Sequence, residues 1–175
     1  VQQRPESVDI PARIGSRIEV GLFGRHVKKR SQRRTLFRRE PRLAEVAQPG
    51  QYKTTHIGDT PVVLTRALDG SLHVVVNRCA HRGNLVCREP FGSAKRLYCV
   101  YHAWSFTLEG DLSNAAFSQG LKGEGGLPAD FNKAEHGLRK LKVDTLCGLV
   151  FASFAEDMEP LEDWLGDVAQ GIKRV

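Results

Sequence analysis

The chain has 175 residues, 41% of them hydrophobic, and a formal net charge of +6. This length suits one domain, or one domain with a tail, and the hydrophobic content is enough for a packed core. No run approaches the roughly 18 consecutive apolar residues of a membrane span, and the N-terminus lacks the pattern of a secretory signal. We therefore expect a cytoplasmic protein that does not act at a membrane.

The positive charge is concentrated in residues 25–42, which hold nine Lys or Arg and one acid. Basic runs are found on surfaces that bind nucleic acids or membranes. Because Phe37 is the one aromatic in this run, it offers no stacking platform, and we expect no nucleic-acid partner. Residues 1–47 show little periodicity, which predicts an irregular basic segment with order beginning near Pro49-Gly50.

Apolar runs separated by turn signals follow, and they predict a mainly β fold of small antiparallel sheets with a C-terminal helix. Asp69-Gly70 marks a hairpin turn, and the Gly-rich residues 119–137 predict a long loop. The predicted strands are Tyr52–Ile57, Val62–Ala67, Leu72–Asn77, Arg96–Val100, Trp104–Leu108, Leu141–Leu146 and Leu149–Phe154.

A helix is predicted to begin at Pro160, because Glu162 and Asp163 then fall in its first turn. Its apolar residues fall on one face: Leu161, Trp164, Leu165, Val168 and Ile172. An apolar face so near the last residue indicates that more of the protein follows. Gly137 after His136 predicts a second helix end.

Two ligand pairs carry most of the functional information. Cys79-Ala80-His81 is followed, after residues 82–98, by Cys99-Val100-Tyr101-His102. This spacing is typical of a Rieske [2Fe–2S] centre, in which one iron keeps two thiolates and the other takes two imidazoles. Such ligation gives a reduction potential of about −150 to +300 mV, against about −400 mV for plant-type ferredoxins. We predict an electron carrier with Cys79 and Cys99 on one iron, and His81 and His102 on the other.

A zinc site is the rival interpretation, since two Cys and two His also satisfy tetrahedral Zn²⁺. Zinc patterns usually pair Cys with Cys and His with His, whereas both pairs here are mixed. The zinc-stabilised binding module stays an alternative that metal identity would separate. Cys87 and Cys147 are interpreted as buried free thiols, because a reducing cytosol argues against a disulfide.

Around the ligand pairs the chain resembles the N-terminal Rieske domain of ring-hydroxylating oxygenase α subunits. The resemblance rests on residues 77–83 (NRCAHRG), 99–105 (CVYHAWS), 125–128 (GGLP), 135–141 (EHGLRKL) and 148–151 (GLVF). Arg82-Gly83 is typical of the oxygenases rather than of stand-alone Rieske ferredoxins. Residues 116–152 are most similar to the members that act on terephthalate, salicylate or anthranilate.

The chain departs from the family pattern in two places. Ala103 stands where the family usually has Gly. Residues 12–47 lack the aromatic-bearing helix and strand that the family usually has there, so we hypothesise a shifted reading frame or a divergent start.

The resemblance implies three regions: an N-terminal segment (1–47), a Rieske domain (48–156) and the start of a helix leading to a catalytic domain (157–175). It also implies that a reductase or ferredoxin donates electrons to the [2Fe–2S] cluster. The electrons then pass to a mononuclear Fe(II) in the catalytic domain of a neighbouring α subunit, for O₂-dependent hydroxylation of an aromatic carboxylate. Other α subunits, and in some members β subunits, are thus expected partners. A stand-alone Rieske ferredoxin is the alternative.

The mononuclear iron of these oxygenases uses two His and one carboxylate, a motif not visible in these 175 residues. We therefore expect this chain to carry electrons and to contribute no catalytic residue of its own. Near the ligands, Arg82 is expected beside the cluster loop or in a surface ion pair, Gly83 in a tight turn, and Trp104 as a shield or core residue. Tyr101 is expected to donate a hydrogen bond or to pack. The other histidines, to which no chemistry is assigned, are His26, His56, His73 and His136.

Overall fold

The computed structural model describes residues 42–122 and 124–174, and there the chain forms two antiparallel sheets. The elements are β1 (Gln51–Ile57), β2 (Thr60–Arg66), β3 (Leu72–Val76), β4 (Phe91–Ser93), β5 (Leu97–Tyr98), β6 (Ser105–Phe106), β7 (Leu112–Asn114), β8 (Lys140–Leu146), β9 (Leu149–Ser153), α1 (Leu161–Leu165) and α2 (Asp167–Lys173). One sheet has the order β4-β1-β2-β3-β8-β9, and the other has the order β5-β6-β7. The predicted mainly β fold is confirmed, while the predictions for residues 1–41, including His26, lie outside the described ranges.

The hairpin of β2 and β3 follows directly from its turn sequence. Asp69 accepts hydrogen bonds from the backbone N and the Oγ of Ser71, at 2.8 and 2.6 Å. Gly70 has a φ of 87°, a conformation that glycine adopts without a steric penalty. The turn thus sets the register, and the hairpin predicted around Asp69-Gly70 is confirmed.

Strand β2 is buried on both faces and separates two apolar clusters. Val63 belongs to a cluster that contains Phe106 of the second sheet, whereas Val62 and Leu64 belong to a cluster on the opposite face. Thr65 Oγ1 donates a hydrogen bond to the backbone oxygen of Leu108 at 2.6 Å, which ties β2 to the segment after β6. Full burial of each such aliphatic side chain contributes about 1.5–3 kcal/mol, so β2 is central to the stability of the fold.

A short 3-10 helix, Leu43–Val46, precedes β1. Val46 is fully buried, and its backbone oxygen accepts a hydrogen bond from Arg66 Nε at 2.5 Å. The backbone N of Leu43 donates to Gly148 O at 2.9 Å. Order therefore begins before Pro49-Gly50, contrary to the prediction, because these residues are held by partners far away in the sequence.

The C-terminal helix differs from its prediction because Gly166 interrupts it with a φ of 54° and a ψ of −132°. This break separates α1 from α2 and changes the face that α2 presents. Ala169 is buried in a cluster with Leu161, whereas Val168 is 52% exposed, so its predicted place on the apolar face is wrong. Neither these helices nor any other in the described ranges has the length and apolarity to traverse a bilayer.

The long loop predicted for residues 119–137 is confirmed, with a short 3-10 helix, Lys133–His136, near its end. Gly137 ends that helix, although its φ of −69° is not the left-handed conformation expected of a glycine cap. A larger residue would fit tightly here for another reason, since a Cβ at position 137 would lie 3.0 Å from Gly110 O. The loop is thereby packed closely against the turn before β7.

Candidate metal centre

The first ligand loop, residues 79–84, follows β3 and is closed by two backbone hydrogen bonds. Cys79 N donates to Asn84 O, and Gly83 N donates to Cys79 O, both at 2.8 Å. Gly83 has a φ of 68°, so the glycine expected in a tight turn is found in one. His81, the third residue of the loop, is exposed.

The second ligand loop, residues 99–104, connects β5 to β6 and repeats this arrangement. Cys99 N donates to Trp104 O at 2.8 Å, and Ala103 N donates to Cys99 O at 2.9 Å. Ala103 is the fifth residue of this loop, as Gly83 is of the first loop, and it has a φ of 54°. An alanine is strained there, because its Cβ crowds the backbone in the left-handed region.

Asn77 anchors the chain that leaves the first ligand loop. This side chain is 2% exposed, and its Nδ2 donates to Cys87 O at 2.7 Å. Its Oδ1 accepts hydrogen bonds from Val86 N at 3.1 Å and from Cys87 N at 2.9 Å. Asn77 thus fixes residues 86 and 87 against the end of β3, a role that the sequence does not reveal.

The two cysteines of the ligand loops are buried and hydrogen-bonded to each other. Cys79 and Cys99 are 3% and 2% exposed, and their side chains are in hydrogen-bond contact. Burial raises the pKa of Cys79, and the nearby Cys99 adds to this effect, while backbone hydrogen bonds from His81 and Arg82 oppose it. The two sulfurs therefore occupy one site although they come from different loops.

The environment of Cys99 favours a thiolate more strongly. Burial raises its pKa, but the net shift is downward because four hydrogen bonds together outweigh burial. In decreasing order of effect, they involve the Tyr101 backbone, the Cys79 side chain, the His102 backbone and the Asn84 side chain. A deprotonated sulfur is the form that binds a metal.

The two histidines also lie together. The ring centroids of His81 and His102 are 4.6 Å apart, with an angle of 72° between the rings. Burial of the ring, followed by electrostatic interactions with His102 and Arg82, lowers the pKa of His81, which favours the neutral imidazole that a metal requires. Among the described side chains, the buried His102 Nδ1 has no hydrogen-bond partner, as expected of an atom whose partner is a metal.

The fold therefore sorts the mixed sequence pairs into two like pairs, thiol with thiol and imidazole with imidazole. A single zinc ion would need all four donors to converge on one point. Within residues 42–122 and 124–174, no three His, Cys, Asp or Glu form a group that could hold one ion. Two sulfur donors beside two nitrogen donors, one of them an unpartnered buried atom, fit a [2Fe–2S] cluster.

Aromatic side chains cover the imidazole side of this site. Trp104 is 5% exposed and stacks on His81, with 4.9 Å between ring centroids and an angle of 12°. Phe131 and His136 come from the long loop and make T-shaped contacts with Trp104, with ring centroids 5.9 and 6.2 Å from it. Tyr101 is exposed, and its ring packs against His102 at 3.8 Å. The contact made by Phe131 is not predictable from the sequence, because nothing local connects the long loop to the ligands.

The remaining cysteines differ from each other. Burial raises the pKa of Cys87 to about 12, so this thiol is inert, and the prediction of a buried free cysteine is confirmed. Cys147 is free but exposed, so its predicted burial is wrong. It occupies the turn between β8 and β9 with a φ of 48°. His56 and His73 lie in β1 and β3, as predicted.

Comparison with known proteins connects this geometry to a family. Residues 41–123 match the family model described as the Rieske [2Fe-2S] domain. The chain is 49% identical over 166 residues to the anthranilate 1,2-dioxygenase large subunit of Burkholderia cepacia, covering 91% of this chain and 39% of that protein. It is 48% identical to terephthalate 1,2-dioxygenase, terminal oxygenase component subunit alpha 2, of a Comamonas species, covering 75% and 32%.

Solved structures share the fold. A naphthalene 1,2-dioxygenase structure has a TM-score of 0.67 and 33% identity, covering 78% of this chain and 30% of that one. A quaternary ammonium Rieske monooxygenase has a TM-score of 0.69 and 28% identity, covering 81% and 37%. The chain thus spans about a third of the length of the relatives it matches. The alignment with the anthranilate dioxygenase subunit covers 91% of the chain, so it must extend into residues 1–47. A segment translated in a shifted reading frame would not be expected to align with a relative.

Proposed function

From the premise that the chain belongs to the Rieske [2Fe-2S] domain family, among the large subunits of aromatic-ring dioxygenases, we propose that it is the electron-accepting domain of such an oxygenase. The observation that carries this proposal is the sorting of the four donors into a thiol pair and an imidazole pair. We assign Cys79 and Cys99 to one iron, and His81 and His102 to the other. When bound, the cluster supplies a one-electron carrier of moderate potential.

The protein groups around the cluster have separate tasks in this proposal. Backbone amides in both loops donate hydrogen bonds to the cysteine sulfurs and stabilise their negative charge. Trp104 excludes water from one face of His81, which is otherwise exposed and accessible to an electron-transfer partner. The unpartnered Nδ1 of His102 is the atom that would bind iron.

The relatives support a proposal for the partners and the substrate. We propose that the chain accepts electrons from a reductase or ferredoxin and delivers them to a mononuclear iron in the catalytic domain of a neighbouring α subunit. One related structure is described in terms of inter-subunit electron transfer in a quaternary ammonium monooxygenase, which supports this route. The names of three relatives contain anthranilate, terephthalate and salicylate, which favours an aromatic carboxylate as the substrate of the whole oxygenase.

The first test is the EPR spectrum of the anaerobically purified protein after reduction by dithionite, together with metal analysis of the same sample. We expect two iron atoms per chain and a Rieske-type signal with a low average g value. A silent spectrum from a protein that contains zinc would overturn the proposal and establish the zinc-stabilised module instead.

Ligand variants test the assignment of individual residues. Cys79→Ser and Cys99→Ser should each abolish the EPR signal, because a hydroxyl is a poor replacement for a thiolate ligand. The matched control is Cys147→Ser, which makes the same change at an exposed turn and should retain the full signal. Likewise, His81→Ala and His102→Ala should lose the Rieske signal, while His73→Ala in β3 should keep it. A ligand variant that retains the wild-type spectrum would remove that residue from the site.

A further inference from the structure

Asn84 is the one residue in the described ranges that hydrogen-bonds to both candidate cysteine ligands, and it does so through different groups. Its backbone oxygen accepts a hydrogen bond from Cys79 N at 2.8 Å, within its own loop. Its side-chain Nδ2 lies 3.8 Å from Cys99 Sγ, in the other loop. This distance is within the range of an N–H···S hydrogen bond, which is longer than its oxygen counterpart because sulfur is larger.

The orientation of the Asn84 amide follows from its surroundings. Nδ2 also lies 3.0 Å from Leu85 O, so the same nitrogen faces two acceptors, a carbonyl oxygen and a sulfur. An asparagine amide nitrogen carries two hydrogens, one for each acceptor, whereas the amide oxygen could donate to neither. The side chain is only partly exposed, which limits competition from water. The donor is therefore directed at the Cys99 sulfur.

We propose that Asn84 is a positioning residue that raises the reduction potential of the cluster by donating a hydrogen bond to Cys99 Sγ. This inference rests on the proposed function, because it concerns the same [2Fe–2S] site. Reduction adds negative charge, part of which resides on the ligand sulfurs, so a donor to sulfur stabilises the reduced form more than the oxidised form. Removing the donor should make the protein harder to reduce.

The burial of the acceptor supports this direction. Cys99 is 2% exposed, so water has little access to its sulfur, and a hydrogen bond from the protein is stronger in such surroundings than in water. Hydrogen bonds to charged groups are also stronger than those between neutral groups. Asn84 thus acts on the sulfur side of the site through the second loop's cysteine, although it belongs to the first loop.

The test compares Asn84→Leu and Asn84→Asp with the wild-type chain by redox titration monitored by EPR. Leucine is similar in size and donates no hydrogen bond, while aspartate adds a negative charge at the same place. We expect the midpoint potential to fall in both variants, and further for aspartate. For leucine we expect a change of about threefold or more in the one-electron equilibrium, or some 28 mV at 59 mV per tenfold. The matched control is Asn114→Leu, at an exposed position in β7, which should leave the potential unchanged.

The outcomes separate this inference from the proposed function. If the wild-type chain shows no Rieske signal, the proposed function fails. If the wild-type signal is present but the leucine variant keeps the wild-type potential, only the role of Asn84 is overturned, whatever the aspartate variant shows. If the leucine variant does not assemble a cluster, Asn84→Ala, which also removes the donor without adding a charge, supplies the measurement. Loss of the cluster from both the leucine and the alanine variants would make Asn84 a structural residue and overturn the proposal.

Discussion

The two ligand loops have the same backbone and different final residues. Both are closed by a hydrogen bond from the first residue's N to the sixth residue's O, and by one from the fifth residue's N to the first residue's O. The sixth residue is Asn84 in the first loop and Trp104 in the second. Asn84 reaches Cys99 of the second loop, and Trp104 stacks on His81 of the first. Each loop thus contributes a side chain that contacts a candidate ligand in the other loop.

The backbone and the sixth residue of each ligand loop have different roles. The shared backbone places each cysteine sulfur and supplies donors to it, so it can be repeated with little regard to side chains. The sixth residues are where the loops differ, with a polar group toward sulfur and an aromatic ring toward imidazole. We infer that a change in the backbone frame alters stability alone, whereas a change at the sixth position also alters the properties of the assembled site.

The largest effect is expected from Trp104→Ala, which removes the cross-loop contact to His81. Because Trp104 is 5% exposed and packs in the main apolar cluster, we expect a loss of about 3–5 kcal/mol in the free energy of unfolding. Urea denaturation of the cluster-loaded protein, followed by circular dichroism, measures it. Trp164→Ala in α1 is the matched control, since Trp164 is only partly buried and packs away from the ligand loops. Equal losses in the two variants would contradict a special position for Trp104.

Asn77→Ala should have the next largest effect on the free energy of unfolding, because it removes the hydrogen bonds that anchor the chain after the first ligand loop. The change leaves Val86 N, Cys87 N and Cys87 O without their side-chain partner, at a cost of about 3 kcal/mol. The measurement is again the urea midpoint, with the rate of cluster bleaching in air as a second readout. Asn114→Ala is the control at an exposed strand position and should change neither quantity. Unchanged bleaching in Asn77→Ala would show that the first loop does not depend on this anchor.

The smallest effects are expected from exchanging the fifth residues of the loops. Gly83→Ala should destabilise the protein by about 1 kcal/mol, because alanine is strained at a φ of 68°. Ala103→Gly should stabilise it by up to about 1 kcal/mol, because it relieves the same strain at a φ of 54°. Thermal denaturation of both variants measures the two changes. Shifts of the same sign would mean that the two backbones are not equivalent in energy.

The sequence predicts those parts of the fold that depend on local signals. Asp69-Gly70 defines its hairpin because the turn conformation is encoded in the turn residues themselves. Strand β4 is missed, since it has three residues, begins with the 72% exposed Phe91, and exists through its pairing with β1. The break at Gly166 is missed because a glycine inside a helical pattern is compatible with either a continuous or an interrupted helix.

In the candidate site, too, the features set by local sequence were predictable and those set by distant contacts were not. The spacing of Cys79, His81, Cys99 and His102 identifies four donors, because each ligand pair lies within one short loop. Their sorting into a thiol pair and an imidazole pair was also predicted, from the Rieske spacing. The contacts around the four donors depend on how the two loops meet, which only the folded chain determines. Asn84 and Phe131 were missed for this reason, as their partners lie 15 and 27 residues away in the chain.

The 3-10 helix before β1 has a practical consequence for anyone who shortens this protein. A chain that starts at residue 48, the boundary the sequence suggests, loses the fully buried Val46 and leaves an opening beside β2. It also loses the carbonyl that binds Arg66 Nε and the backbone hydrogen bond from Leu43 to the β8–β9 turn. A trimmed version intended for expression should therefore begin no later than Arg42, whose backbone bridges to Leu149.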